Sequence, residues 1–216
     1  MLAATEVERS RFLQVLRELE AVYPQTPSLL NYRSPFELLV GVILSAQTTD
    51  EAVNAVLPQL FARYPGPAEL AMADPARVEE IIHSLGFFRQ KARSIIGTAR
   101  MLHDEYGDTV PATMDELTRL PGVGRKSAGV MLLHIHNLPA IIVDTHFGRV
   151  TRRLGFATAS DPLKLEREVA AVLPSEHWNS ASMRLNYHGR RYCFARAPDC
   201  AACPVEYLCP REGVST

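Results

Sequence analysis

The chain has 216 residues, 47% of them hydrophobic, with 23 Lys and Arg against 24 Asp and Glu and a formal net charge of −1. This is enough chain for one large domain or two small ones, and its composition is that of an ordinary globular protein. Residues 1–10 lack the apolar core of a signal peptide, the run 38–44 is too short to span a bilayer, and the run 129–143 is broken by His134, His136, Asn137 and Pro139. A soluble intracellular protein of the cytoplasm or nucleoid is expected.

Apolar spacing and cap residues predict helices throughout. Thr5-Glu6-Val7-Glu8 has the spacing of a capping box, and the helix it starts ends before Pro24. Ser34-Pro35-Phe36-Glu37 caps a second helix whose residues 38–45 are apolar on all sides, as in a buried central helix. Ser45-Ala46-Gln47-Thr48-Thr49-Asp50 is a polar loop leading into a helix over 52–63, which Pro58 is expected to kink. Asp74-Pro75 caps a helix ending at Leu85-Gly86. The paired aromatics Phe87-Phe88 follow, of which one faces inward easily, and then a long amphipathic helix over 91–103.

Thr113-Met114-Asp115-Glu116 caps a short helix that stops at Pro121. Gly122 and Gly124 permit positive φ in a tight hairpin, and a second helix resumes at Arg125. Such a hairpin presents backbone N–H groups at a helix N-terminus, where phosphate is favoured. Lys126 falls in the first turn of that helix, where the partial positive charge disfavours a cation. A free lysine, with a pKa of about 10.4, is neutral in roughly one molecule in 2,500 at pH 7. Lys126 is therefore either a phosphate-contacting lysine or an amine activated for nucleophilic attack by unfavourable charge and burial.

Charge is concentrated where the hairpin lies. Residues 1–118 hold ten Lys and Arg against sixteen Asp and Glu, a net of −6, whereas residues 119–153 hold six against Asp144 alone, a net of +5. A local basic patch of this kind fits a polyanionic partner better than the total charge does. Asp144 or Thr145 caps a helix through Arg153 that stops at Gly155; Asp161-Pro162 opens the next, and a last long helix covers about 175–190. His134 and His136 point apart on a helix and are not expected to share a metal ion.

All four cysteines fall in the last quarter as Cys193-x6-Cys200-x2-Cys203-x5-Cys209. Disulfides are disfavoured inside a cell. The spacing by itself leaves structural zinc and an iron–sulfur cluster open. Arg184, Arg190, Arg191 and Arg196 surround the first ligands, either as solvated charge or as a second phosphate-binding surface.

Leu120-Pro121-Gly122-Val123-Gly124-Arg125-Lys126-Ser127-Ala128, followed by Val143-Asp144-Thr145-His146, resembles the helix-hairpin-helix signature of the endonuclease III family of DNA glycosylases. The cysteine spacing is similar, interval for interval, to that family's [4Fe–4S] loop. Ser127 stands where the family often has threonine. The resemblance covers essentially the whole chain and implies an all-α fold in two lobes. One is a helical barrel over 28–138, with the hairpin motif at about 114–136. The other is an iron–sulfur lobe built from 1–27 and 139–216, and DNA lies across the cleft.

The resemblance further implies a bifunctional DNA glycosylase and AP lyase of base excision repair. It would remove oxidised pyrimidines and cut 3′ to the abasic site by β-elimination through a lysine Schiff base. Lys126 is then the nucleophile and Asp144 its acidic partner. Gln47 fills the gap left by the extruded nucleotide, and Phe87 is the apolar wedge. Gly122, Gly124, Arg125 and His146 contact DNA phosphates, and Cys193, Cys200, Cys203 and Cys209 hold a [4Fe–4S] cluster. The partner is double-stranded DNA with damaged bases or abasic sites, and the protein is a monomer. The alternatives are a monofunctional glycosylase for a mismatched or damaged base, against which Lys126 argues, and a non-catalytic DNA-binding protein of the same fold.

Overall fold

In a computed structural model, which describes residues 2–214 with side chains from Glu6 onward, all regular structure among the described residues is helical. No described helix is long and apolar enough to cross a membrane. The chain divides into two compact units, Ser28–Asn137 and Met1–Pro27 with Leu138–Thr216.

The first unit contains α2 (Pro35–Leu44), α3 (Asp50–Arg63), α4 (Pro67–Ala71), α5 (Pro75–Ile82), α6 (Phe88–Tyr106), α7 (Met114–Arg119) and α8 (Arg125–His134), in that order after the N-terminal helix α1 (Leu2–Val22). Every residue of α2 after Pro35 is buried, as an all-apolar helix requires. Ser34 caps it by accepting the Glu37 amide at 3.2 Å. Leu38, Leu39 and Leu44 of α2 are fully buried, as are Leu60, Leu70, Ile82, Leu85, Ile95 and Leu102 of the same unit.

The second unit joins α1 to α9 (Thr145–Arg153), α10 (Pro162–Val172) and α11 (Trp178–Arg191). Phe12 stacks on Phe156 with ring centroids 4.0 Å apart. The Arg11 guanidinium covers Phe156, 4.1 Å from its ring centre, and donates to the Leu154 and Leu208 carbonyls at 2.7 and 3.1 Å. A cation with a flat face can thus finish an apolar stack and satisfy two loop carbonyls at once. Helix α11 crosses α9 closely because residue 189 is glycine: a Cβ there would stand 2.9 Å from His146 Cβ.

Several boundaries differ from expectation. Helix α1 begins at Leu2, ahead of the cap expected at Thr5, whose side chain lies outside the described residues. Helix α3 begins at Asp50 rather than at residue 52 and contains Pro58, α6 begins at Phe88 rather than at residue 91, and the short α4 had no motif to announce it. The last helix divides into a 3-10 turn, Ser175–His177, and α11. His136 lies beyond the end of α8, so the two histidines do not share a helix.

The hairpin glycines play unequal parts. Gly122 takes φ +81°, and a Cβ there would meet Ser94 Cβ at 2.8 Å and Ile43 Cγ2 at 3.1 Å. Gly124 instead has φ −91° as the residue capping α8, with open space where a Cβ would stand, so it does not require the positive φ expected of it. Gly122→Ala is expected to destabilise the fold by about 2 kcal/mol and lower Tm by roughly 4–8 °C. Gly124→Ala is expected to change stability by no more than about 0.5 kcal/mol. Thermal melts of the two variants check the pair.

Candidate active site and cysteine centre

In the first unit, α6 gathers three irregular segments. Its residues Lys91, Ser94 and Thr98, at positions i, i+3 and i+7, are polar yet buried. Lys91 Nζ donates to Thr48 Oγ1 and so holds the loop that carries Gln47. Ser94 packs under Gly122, and Thr98 Oγ1 donates to the Pro121 carbonyl at 2.8 Å. Burial lowers the Lys91 pKa from its ordinary value. Phe87 immediately precedes α6, so the Gln47 loop, the Phe87 turn and the hairpin are all fixed to one helix.

Gln47 and Phe87 share an uncommon backbone conformation. Their φ values are +53° and +58°, the left-handed region that costs a side-chain-bearing residue of order 1 kcal/mol. Both side chains are exposed, Phe87 at 68%. A large apolar ring presented to solvent from a strained turn is out of place in a core and suited to insertion elsewhere. Phe88 is half-buried and takes the inward position.

Gly124 offers no side-chain cap to α8, so the first amides of that helix face outward as a site for an anion. Lys126 and Arg125 sit in this first turn, and both are exposed. The Lys126 side chain is therefore not buried in the folded chain. Its place at a helix N-terminus stands.

In the second unit, Asp144 caps α9, its Oδ1 accepting the Phe147 amide at 2.7 Å. Its Oδ2 accepts from the Asn186 side-chain amide. His146 is half-buried, and desolvation lowers its pKa despite the opposing effect of Asp144. Arg149 donates to His146 Nδ1 at 3.1 Å, to the Gly189 carbonyl at 2.8 Å and to the Cys193 carbonyl at 2.9 Å. One turn later Arg153 donates to Cys193 Sγ at 3.3 Å and to the Phe194 and Ala195 carbonyls at 2.6 and 3.1 Å. Two arginines of α9, i and i+4 apart, thus tie the start of the cysteine loop to the helix that Asp144 caps.

The four thiols are free and line one pocket, together with Val150, Leu154, His188, Val205 and Val214. Polar groups approach three of the sulfurs. Besides Arg153 on Cys193, the Arg211 amide lies 3.4 Å from Cys209 Sγ and His188 Nε2 lies 3.5 Å from Cys203 Sγ. Burial pushes the Cys203 thiol up to about 11 and His188 down to about 4. A thiolate in this pocket thus needs nearby positive charge, which a bound metal would supply. Among the described residues no three His, Cys, Asp or Glu are grouped to hold a single ion. Arg184 donates to Glu20 at 2.6 Å and to the Tyr23 carbonyl at 3.4 Å.

Sequence reasoning missed Lys91, Thr98, Arg149, Arg153 and Asn186. Polar residues at helical spacing on an apolar face are a usable sign for the α6 set; the arginines of α9 were counted as charge only. Arg149→Met removes donors to four groups, the Thr145 carbonyl at 3.4 Å included, and is expected to cost about 1–3 kcal/mol of stability. Hydrogen exchange of amides 190–200 is expected to quicken by roughly tenfold or more, while amides of α2 keep their protection.

Residues 40–175 match the HhH-GPD superfamily of base excision DNA repair proteins. The chain is 45% identical over 209 residues to endonuclease III of Synechocystis sp., covering 96% of this chain and 95% of that one. It is 40% identical over 199 residues to endonuclease III of Bacillus subtilis, covering 92% and 90%. A solved structure of a trapped endonuclease III–DNA covalent intermediate superposes with a TM-score of 0.88 at 40% identity, covering 94% of this chain and 96% of that one.

Proposed function

Since the chain belongs to the HhH-GPD superfamily of base excision DNA repair proteins, and within it to the endonuclease III family, we propose that Lys126 and Asp144 carry its chemistry at oxidised pyrimidines. The protein is a base-excision DNA glycosylase with AP lyase activity. The observation that carries the residue assignment is an exposed lysine on the first, uncapped turn of α8, immediately after the hairpin.

In this reading a duplex phosphate sits on the outward amides of α8, with Arg125, Gly122 and Gly124 around it, and His146 contacts the backbone from α9. The damaged nucleotide leaves the stack, Gln47 occupies the vacated space and Phe87 wedges beside it. Unstacking costs a few kcal/mol, which these inserted side chains offset. Bound DNA would bury Lys126, and desolvation would then favour its neutral amine. The amine attacks C1′, and the C1′–N bond breaks with its electron pair leaving on the base. Asp144 stabilises the positive charge that develops on the sugar. Loss of a proton and opening of the sugar ring leave a Schiff base on Lys126. Its electron withdrawal acidifies C2′, and proton loss there expels the 3′ phosphate.

Cys193, Cys200, Cys203 and Cys209 would hold a [4Fe–4S] cluster. When bound, the cluster cross-links four points of the C-terminal loop and supplies no step of base removal. We read Ser28–Asn137 as the barrel lobe and the other unit as the cluster lobe. The partner is double-stranded DNA with damaged bases or abasic sites, met by a soluble, intracellular monomer.

Borohydride trapping on duplex DNA with an abasic site tests the mechanism. Wild type is expected to give a covalent adduct and Lys126→Gln none; no adduct from folded wild type sinks the bifunctional reading. For the cofactor, anaerobically purified protein is expected to contain about four iron and four acid-labile sulfide per chain. Cys200→Ser is expected to lower both sharply, and stoichiometric zinc in wild type would overturn the assignment.

A further inference from the structure

We propose that Asn186 is a positioning residue for Asp144, fixing the rotation of its carboxylate; this rests on the reading of Asp144 as the catalytic carboxylate. The segment before Asp144 has no regular secondary structure and is held by one stripe of α11. Asn179 Oδ1 accepts the Ala140 amide at 2.9 Å. Ser182 Oγ accepts the Ile142 amide at 2.9 Å and donates to the Ala140 carbonyl at 3.2 Å. Asn186 Nδ2 donates to Asp144 Oδ2. The helix supplies a side chain at i, i+3 and i+7, and the segment meets it at every second residue, 140, 142 and 144. The odd residues Ile141 and Val143 pack in the apolar core.

The third contact differs in kind from the first two. Asn179 and Ser182 hold backbone, as a purely structural stripe would. Asn186 donates to a side chain instead. Asp144 Oδ1 already accepts the Phe147 amide, so Asn186 engages the other oxygen and the carboxylate plane can no longer turn. The orientation of the amide is itself determined. Arg190 Nε donates to Asn186 Oδ1 at 3.0 Å, and a guanidinium can only donate. The oxygen must face Arg190 and the nitrogen must face Asp144, which can only accept. A cation, an amide and a carboxylate are thus aligned in one polarised chain.

A carboxylate that must face a developing cation loses more from misalignment in the transition state than in binding. The test is single-turnover base excision on the oxidised pyrimidine that wild type removes fastest. Asn186→Leu is expected to slow excision roughly 10- to 100-fold, with DNA Kd unchanged within about threefold. Asn186→Asp keeps the shape but sets a carboxylate against Asp144, and is expected to be slower still. In an Asp144→Asn background, Asn186→Leu should add less than about twofold. Asn186→Ser, which removes the amide without apolar bulk, gives the same readout should the leucine variant melt early.

Unchanged excision in Asn186→Leu overturns the proposal. So does a rate retained in Asn186→Asp, which would mean that shape alone matters, or the same loss in both backgrounds. Wild-type excision rates in Asp144→Asn would instead overturn the catalytic reading of Asp144, and the proposal with it. Borohydride trapping of the same preparations at an abasic site reports separately whether the Lys126 reading stands.

Discussion

Backbone outside a helix carries N–H and C=O groups that need partners once they are covered, and in each unit of this protein a polar stripe on a single helix supplies them. Thr98 on α6 donates to the Pro121 carbonyl, and Asn179 and Ser182 on α11 accept the Ala140 and Ile142 amides; on the same stripes Ser94 packs against Gly122, and Lys91 and Asn186 donate to the side chains of Thr48 and Asp144. Both stripes follow the same spacing, i, i+3 and i+7, because that is the face a helix turns toward a neighbour. The residues with proposed chemistry lie on the segments so held, or next to them. Their loops are not loosely attached additions. They are bonded to helices whose other faces form the core.

The same economy operates around the cysteines. A loop of low helical content cannot fix four sulfurs by its own backbone, and α9 lends it two arginines. Arginine suits this use because its planar fork reaches several carbonyls at once and stays charged when partly buried. Arg149 and Arg153 bond three consecutive carbonyls, those of Cys193, Phe194 and Ala195. The loop start is therefore rigid before any metal is considered. A cluster would complete the cross-linking and not create it.

Electrostatics divides along the chain in a way that total charge conceals. An acidic first half keeps the net charge at −1, while the residues that would meet phosphate sit in a stretch of net +5. Not all of that positive charge is available to a ligand. Arg149 and Arg153 spend their donors inside the protein, and so does Arg184 further on. Arg125 and Lys126 lie exposed in the first turn of α8.

The helical fold was legible in the sequence because caps and apolar period are local. Ser34, Asp74, Thr113 and Asp161 cap helices where expected, and Asp144 caps α9. The hairpin, with Lys126 in the first turn of its second helix, was equally legible, since Pro121 and Gly122 act on their own backbone. The cysteine spacing was visible as a single site. What only the tertiary structure decided is which side chains hold those elements in place. Asn186 lies 42 residues from Asp144 and Lys91 lies 43 from Thr48, and no local rule connects them. A cap depends on the four residues around it. A bond between helix stripe and loop depends on how the helices pack, and packing is a property of the whole chain.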